Sequence, residues 1–188
     1  KEPGGLAYFY YNDLPVNAPL TKLRVEATGS PERVKAFEKN TEGRYPAMSN
    51  FSFDYGNVHI TCLDSNPYAN PLDRDLLLWL INDLKISKAD WKIVAYHHPA
   101  FNTSISHYDD QQMRLIAPIL EEQKVDLVLA GHVHNYQRSF PLKFELKLGS
   151  SGTRYVVSPE GRVDGTFTLD QKFDGVTNTR PEGIIYIV

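Results

Sequence analysis

Cysteine is nearly missing from this chain: Cys62 is the only one in 188 residues, so no internal disulfide can form. The redox compartment is therefore left open by composition. No apolar run reaches the length of a membrane span, which excludes an expected transmembrane helix. Basic excess is lacking too, since 20 Lys and Arg stand against 23 Asp and Glu for a net charge of −3. Nothing in that balance marks nucleic acid or an anionic membrane as a partner. There is no initial Met and no signal-peptide pattern in Lys1-Glu2-Pro3-Gly4-Gly5. Repeats and low-complexity linkers are absent, so a single domain over residues 1–188 is the economical reading.

What is present is ordinary for a globular domain, with 41% hydrophobic and 23% charged residues. Eleven Tyr and nine Phe suit a β-rich fold. Ser30-Pro31 reads as a helix cap with Pro at the first turn, predicting a short helix over residues 31–39. Phe51, Phe53 and Tyr55 alternate with polar residues before a Gly56-Asn57 turn, which predicts a hairpin running to Leu63. His59 and Asp64 read there as structural residues. Leu72, Leu76, Leu80 and Leu84 recur every four residues, predicting an amphipathic helix over residues 71–85 capped by Asn70. A second helix is expected over 109–123, kinked or broken at Pro118. Apolar runs at 91–96 and 125–130 read as strands, the latter buried on both faces. Shorter β segments follow at 143–148, 153–157, 166–169 and 183–188.

The chemistry concentrates where the two apolar runs end. One finishes in His97-His98-Pro99 and the other in Gly131-His132-Val133-His134. Joined by a helix, the two strands are expected to run parallel and to deliver their histidines to one sheet edge. In extended backbone His132 and His134 point to the same side. Neutral imidazole is the commonest metal-binding side chain, so a metal site at this edge is the leading expectation.

These segments together resemble the calcineurin-like metallophosphoesterases. The hairpin through residues 51–59, the His97-His98-Pro99 strand end, and Gly131-His132-Val133-His134-Asn135-Tyr136-Gln137-Arg138 carry the resemblance, the last looking like the purple acid phosphatase branch. It implies an α/β fold, part of a layered α/β/β/α sandwich with mixed sheets flanked by helices. It implies hydrolysis of small phosphate monoesters by a binuclear centre of two divalent or mixed-valence metal ions, Fe, Zn or Mn. On this resemblance His97 and His132 would hold one metal and His134 the other. His107 would contact phosphate or protonate the leaving group. His98 would line the pocket, Asn135 and Tyr136 would support the ligands, and Arg138 would tie down the loop. A secreted or periplasmic location is the weaker implication.

The departures are as informative as the matches. The family pattern needs an upstream Asp motif, a bridging Gly-Asp and a Gly-Asn-His, and this sequence contains no Gly-Asp dipeptide at all. Asp54-Tyr55-Gly56 and Gly56-Asn57-Val58-His59 only imitate the missing motifs from within the hairpin. The expectation is a C-terminal portion of a catalytic domain, cut at both ends and weakly active or inactive alone. Two rivals remain: a phosphodiesterase on the same scaffold, and a non-catalytic binding module whose site has decayed.

Overall fold

In the computed structural model, residues 11–19, 30–41, 47–67, 69–152 and 155–188 are described. Strands β1 (Phe51–Tyr55) and β2 (Val58–Cys62) form the expected antiparallel hairpin. Gly56 turns it with φ of +61°, a conformation that glycine reaches without strain. Strands β3 (Trp91–Ala95), β4 (Leu127–Leu129) and β7 (Ile185–Ile187) extend the sheet in parallel, in the order β1-β2-β3-β4-β7. Strands β5 (Leu142–Leu146) and β6 (Gly165–Leu169) pair separately as an antiparallel ribbon.

Helix α1 spans Pro31–Thr41, with Ser30 accepting from the Arg33 and Val34 amides as a cap should. Helix α2 spans Arg74–Ile86 and starts three residues later than Asn70-Pro71 predicts. Asp73 is the cap, accepting from the Asp75 and Leu76 amides at 3.0 and 3.1 Å. Asn70 instead closes a turn by accepting from Leu72. Two candidate caps compete here, and the one whose carboxylate reaches two free amides wins. The expected helix over 109–123 also resolves differently. A 3₁₀ segment, Gln112–Ile116, precedes a short helix α3, Ala117–Glu122. Pro118 begins α3 rather than interrupting a longer helix, because a first-turn amide has no partner to lose. The predicted strand at 153–157 falls partly outside the described residues; Tyr155 and Val157 make single bridges to Leu148 and Val163.

The sheet has two unlike faces. Ser52, Thr61, Val94, Val128 and Tyr186 point to one, all at most 4% exposed. Against them pack Leu76, Leu80 and Leu84 of α2 and Leu120 of α3. A polar network pins α2 at the hairpin end of this face. His59 meets Asp54 at 2.6 Å and Asp83 of α2 at 2.9 Å, and Thr61 and Ser52 both donate to Asp83. The opposite face is apolar throughout and largely open to solvent, although Phe51 at its hairpin end is buried. Phe53, Tyr55, Trp91 and Leu129 are 41%, 79%, 56% and 38% exposed there. The run at 125–130 is therefore covered on one face only, with Val128 buried and Leu129 open, contrary to the expectation of burial on both. The α/β class is as expected. Among the described residues, one sheet and its helices are present, with only the β5–β6 ribbon beyond it.

Candidate functional site

Parallel pairing places Ala95 opposite Leu129, so the chain leaves β3 and β4 at the same edge. The pairing continues past the strands: the Gly131 amide donates to the His97 carbonyl at 2.9 Å. Gly131 has no positive φ, and closeness to His97 is what sets it apart. A Cβ at that position would stand 3.1 Å from Nδ1 of His97. The strand-end glycine thus leaves room for a close approach of the His97 ring.

His132 follows with φ of +66°, a left-handed conformation unusual for any residue but glycine. The extended backbone assumed for the His132–His134 pair is therefore absent at His132. His132 turns its Nδ1 to Nε2 of His97 at 3.3 Å and its Nε2 to Asp110 at 3.2 Å. The same Asp110 oxygen lies 3.3 Å from Nδ1 of His107. A row of four side chains results: His97, His132, Asp110, His107. His134 is exposed, and its charge acts on His97.

Asp110 was not singled out from the sequence. A doublet, Asp109-Asp110, three residues past His107 was the available signal, but an acidic pair in a polar loop is commonplace. The two acids do different things. Asp109 pairs with Arg162, while Asp110 joins the histidines.

Beneath the row, Ser65 organises the backbone after β3. Its hydroxyl accepts from the His97 and His98 amides at 3.0 and 2.9 Å and donates to Nδ1 of His98 at 3.0 Å. His98 is buried with its ring 4.4 Å from that of His132, so it supports the row from below. Asp64 caps its own loop by accepting from the Asn66 amide, the structural role expected of it. Asn135 accepts from Gln137, and Tyr136 projects into solvent at 75% exposure.

Burial holds the His97 imidazole below its ordinary pKa, and the neighbouring His132 and His134 charges push it the same way. Burial depresses His98 likewise, helped by His132 and His97 and opposed by Asp110 and Asp64. Both rings are thereby kept neutral near pH 7, the form that offers a lone pair to a metal. Nitrogen and carboxylate donors separated by about 3.3 Å lie at the spacing expected around one small cation, whose own bonds are near 2 Å. Among the described residues, ligand atoms of His107, Asp110 and His132 lie within 4.8 Å of one another, a group that could hold one ion, and His97 borders it through Nδ1 of His132.

Comparison with known proteins finds similar chains among the phosphatases. Purple acid phosphatase 21 of Arabidopsis thaliana is 34% identical over 117 residues, covering 59% of this chain and 26% of that protein. A phosphoenolpyruvate phosphatase of Allium cepa is 33% identical over 113 residues, covering 57% of this chain and 23% of its own length. The chain thus spans about a quarter of the length of these relatives. The solved structure of purple acid phosphatase PPD1 from yellow lupin superposes on 92% of this chain and 29% of its own, with a TM-score of 0.51. At 14% identity that likeness speaks for the fold alone. A sequence profile of the calcineurin-like phosphoesterases matches residues 10–136, a span holding the hairpin, both strand ends and every histidine of the row, and the chain belongs to that family.

Proposed function

We propose that this chain contributes the histidine side of a metal-dependent phosphate monoester hydrolase. The observation that carries the reading is the His97–His132–Asp110–His107 row at the carboxyl edge of β3 and β4. His132 presents its two nitrogens to different partners. A carboxylate on one ring nitrogen fixes the tautomer and frees the other for a metal, the common arrangement behind metal-bound histidine. Asp110 on Nε2 therefore leaves Nδ1 of His132, beside Nε2 of His97, as the ligand edge. A bound ion there would supply Lewis acidity toward a phosphoryl oxygen. His107, partly exposed and held by Asp110, is the side chain placed to contact phosphate or hand a proton to a departing alkoxide. His134 serves a second ion, iron, zinc or manganese, in this reading.

The carboxylates that would hold two cations together are lacking from the row. We place them in further polypeptide that covers the open face of the sheet, so this span alone is expected to be weakly active or inactive. We extend the proposal to a secreted or periplasmic location, which rests on the family resemblance of residues 131–138 alone. The test is metal content together with p-nitrophenyl phosphate turnover, on this span and on a form extended upstream. Expected are turnover in the extended form alone and its loss in His132→Ala. Asp110→Asn should weaken metal binding by about 10- to 100-fold while leaving the fold intact. An extended form that neither binds metal nor turns over phosphate would overturn the proposal in favour of a binding module.

A further inference from the structure

A cavity of about 540 Å³ is lined in part by Asn102, Thr103 and Tyr108 of the loop that carries His107. That volume is in the range of small-molecule sites. Phe101, Leu142, Phe167 and Tyr186 give it apolar walls, and Arg114 and Arg138 both line it. Among the described residues no Asp or Glu side chain does.

Arg114 is the unusual member. It is partly buried, its Nε donates to the Ala100 carbonyl at 2.7 Å, and its guanidinium lies 5.0 Å over the Phe101 ring and 5.8 Å over Phe144. Those contacts fix its orientation without supplying an opposite charge. Among the described residues neither Arg114 nor Arg138 forms an ion pair, although Arg162 finds Asp109 close by. Burial also works against the Arg114 charge, with the Tyr108 side chain giving partial relief. A desolvated guanidinium is normally paired with a carboxylate or phosphate, because leaving it alone is costly. Its planar fork is suited to two-point recognition of such a group.

We propose that this cavity is a binding site for a small organic acid, a carboxylate on an apolar body, with Arg114 as its counter-charge. The apolar body packs between Phe101, Leu142 and Phe167 while Arg138 adds positive potential at the opening. The site is separate from the histidine row and does not depend on the phosphatase reading. The two regions share a border all the same. The Asn102 side chain, which lines the cavity, donates to the His107 carbonyl, so occupancy would be felt in the His107 loop.

The probes are 1-naphthoate and its neutral counterpart 1-naphthalenemethanol, titrated calorimetrically into chelator-treated protein and followed by amide chemical shifts. One equivalent of naphthoate should bind, about tenfold or more tighter than the alcohol, as a charge-assisted contact predicts. Shifts should centre on Phe167, Leu169 and Val188. Arg114→Gln should remove the preference for the acid, and Phe167→Ser should weaken both probes. Should Arg114→Gln fail to fold, the wild-type preference and the position of its shifts decide alone. Equal affinity for the two probes, no binding, or shifts confined to residues 132–134 would each overturn the proposal.

Discussion

Both faces of the five-stranded sheet carry apolar residues, the covered one fewer of them, and the two have opposite fates. On one, Val94 and Val128 are fully buried under α2 and α3; on the other, Trp91 and Leu129 face outward at 56% and 38% exposure. The covered face even accommodates polar groups, because His59, Asp83, Thr61 and Ser52 satisfy one another. Polarity alone therefore does not tell the faces apart. A layer of helices does, and an apolar sheet face without such a layer marks a surface made to be covered.

The comparison can be broken hardest from the covered side. Leu80, 1% exposed in α2, becomes a cavity in Leu80→Ala, with an expected loss of about 3 kcal/mol in urea unfolding. His59→Leu tests the polar corner. It leaves Asp83 without its ring partner, and a loss of about 2 kcal/mol is expected by the same measurement. A loss as small as that of a surface substitution would show that the network contributes nothing.

Acid should weaken the histidine edge to a lesser degree. His98 has a folded pKa below its ordinary 6.5, chiefly through burial, so the unfolded chain takes up its proton first. Stability is then complete above about pH 6.5 and falls as pH drops from there toward the folded value. The urea midpoint should decline over that window, and His98→Gln should flatten the decline. The smallest effect belongs to the open face. Trp91→Ser with Leu129→Thr should change stability by about 0.5 kcal/mol or less while reducing self-association in sedimentation. A large destabilisation there would mean that the face is already covered.

Much of this contrast is legible in the sequence. The hairpin alternation at Phe51, Phe53 and Tyr55, the leucine stripe of α2 and the two strands ending in histidines all lie where period and turn residues place them. The misses share a physical cause. Alternation shows that Leu129 is apolar but not whether anything lies above it. Asp73 outcompetes Asn70 through backbone geometry that composition does not carry. His132 adopts a left-handed backbone conformation, and Asp110 enters the site because residues 107–110 fold back as a turn. Side-chain spacing along an assumed straight backbone could not disclose either.

The parallel register also sets a timetable. The hairpin pairs neighbours in sequence and can close early, whereas β4 must find β3 across an intervening helix and then β7 across the whole β5–β6 ribbon. Contacts between distant segments form late, since the loop entropy has to be overcome before pairing returns anything. With only three residues, β4 has little hold until both neighbours flank it. The strand that aims His132 is thus expected to be among the last elements to acquire its native order, and a ligand that bridges His97 and His132 would hasten that final step.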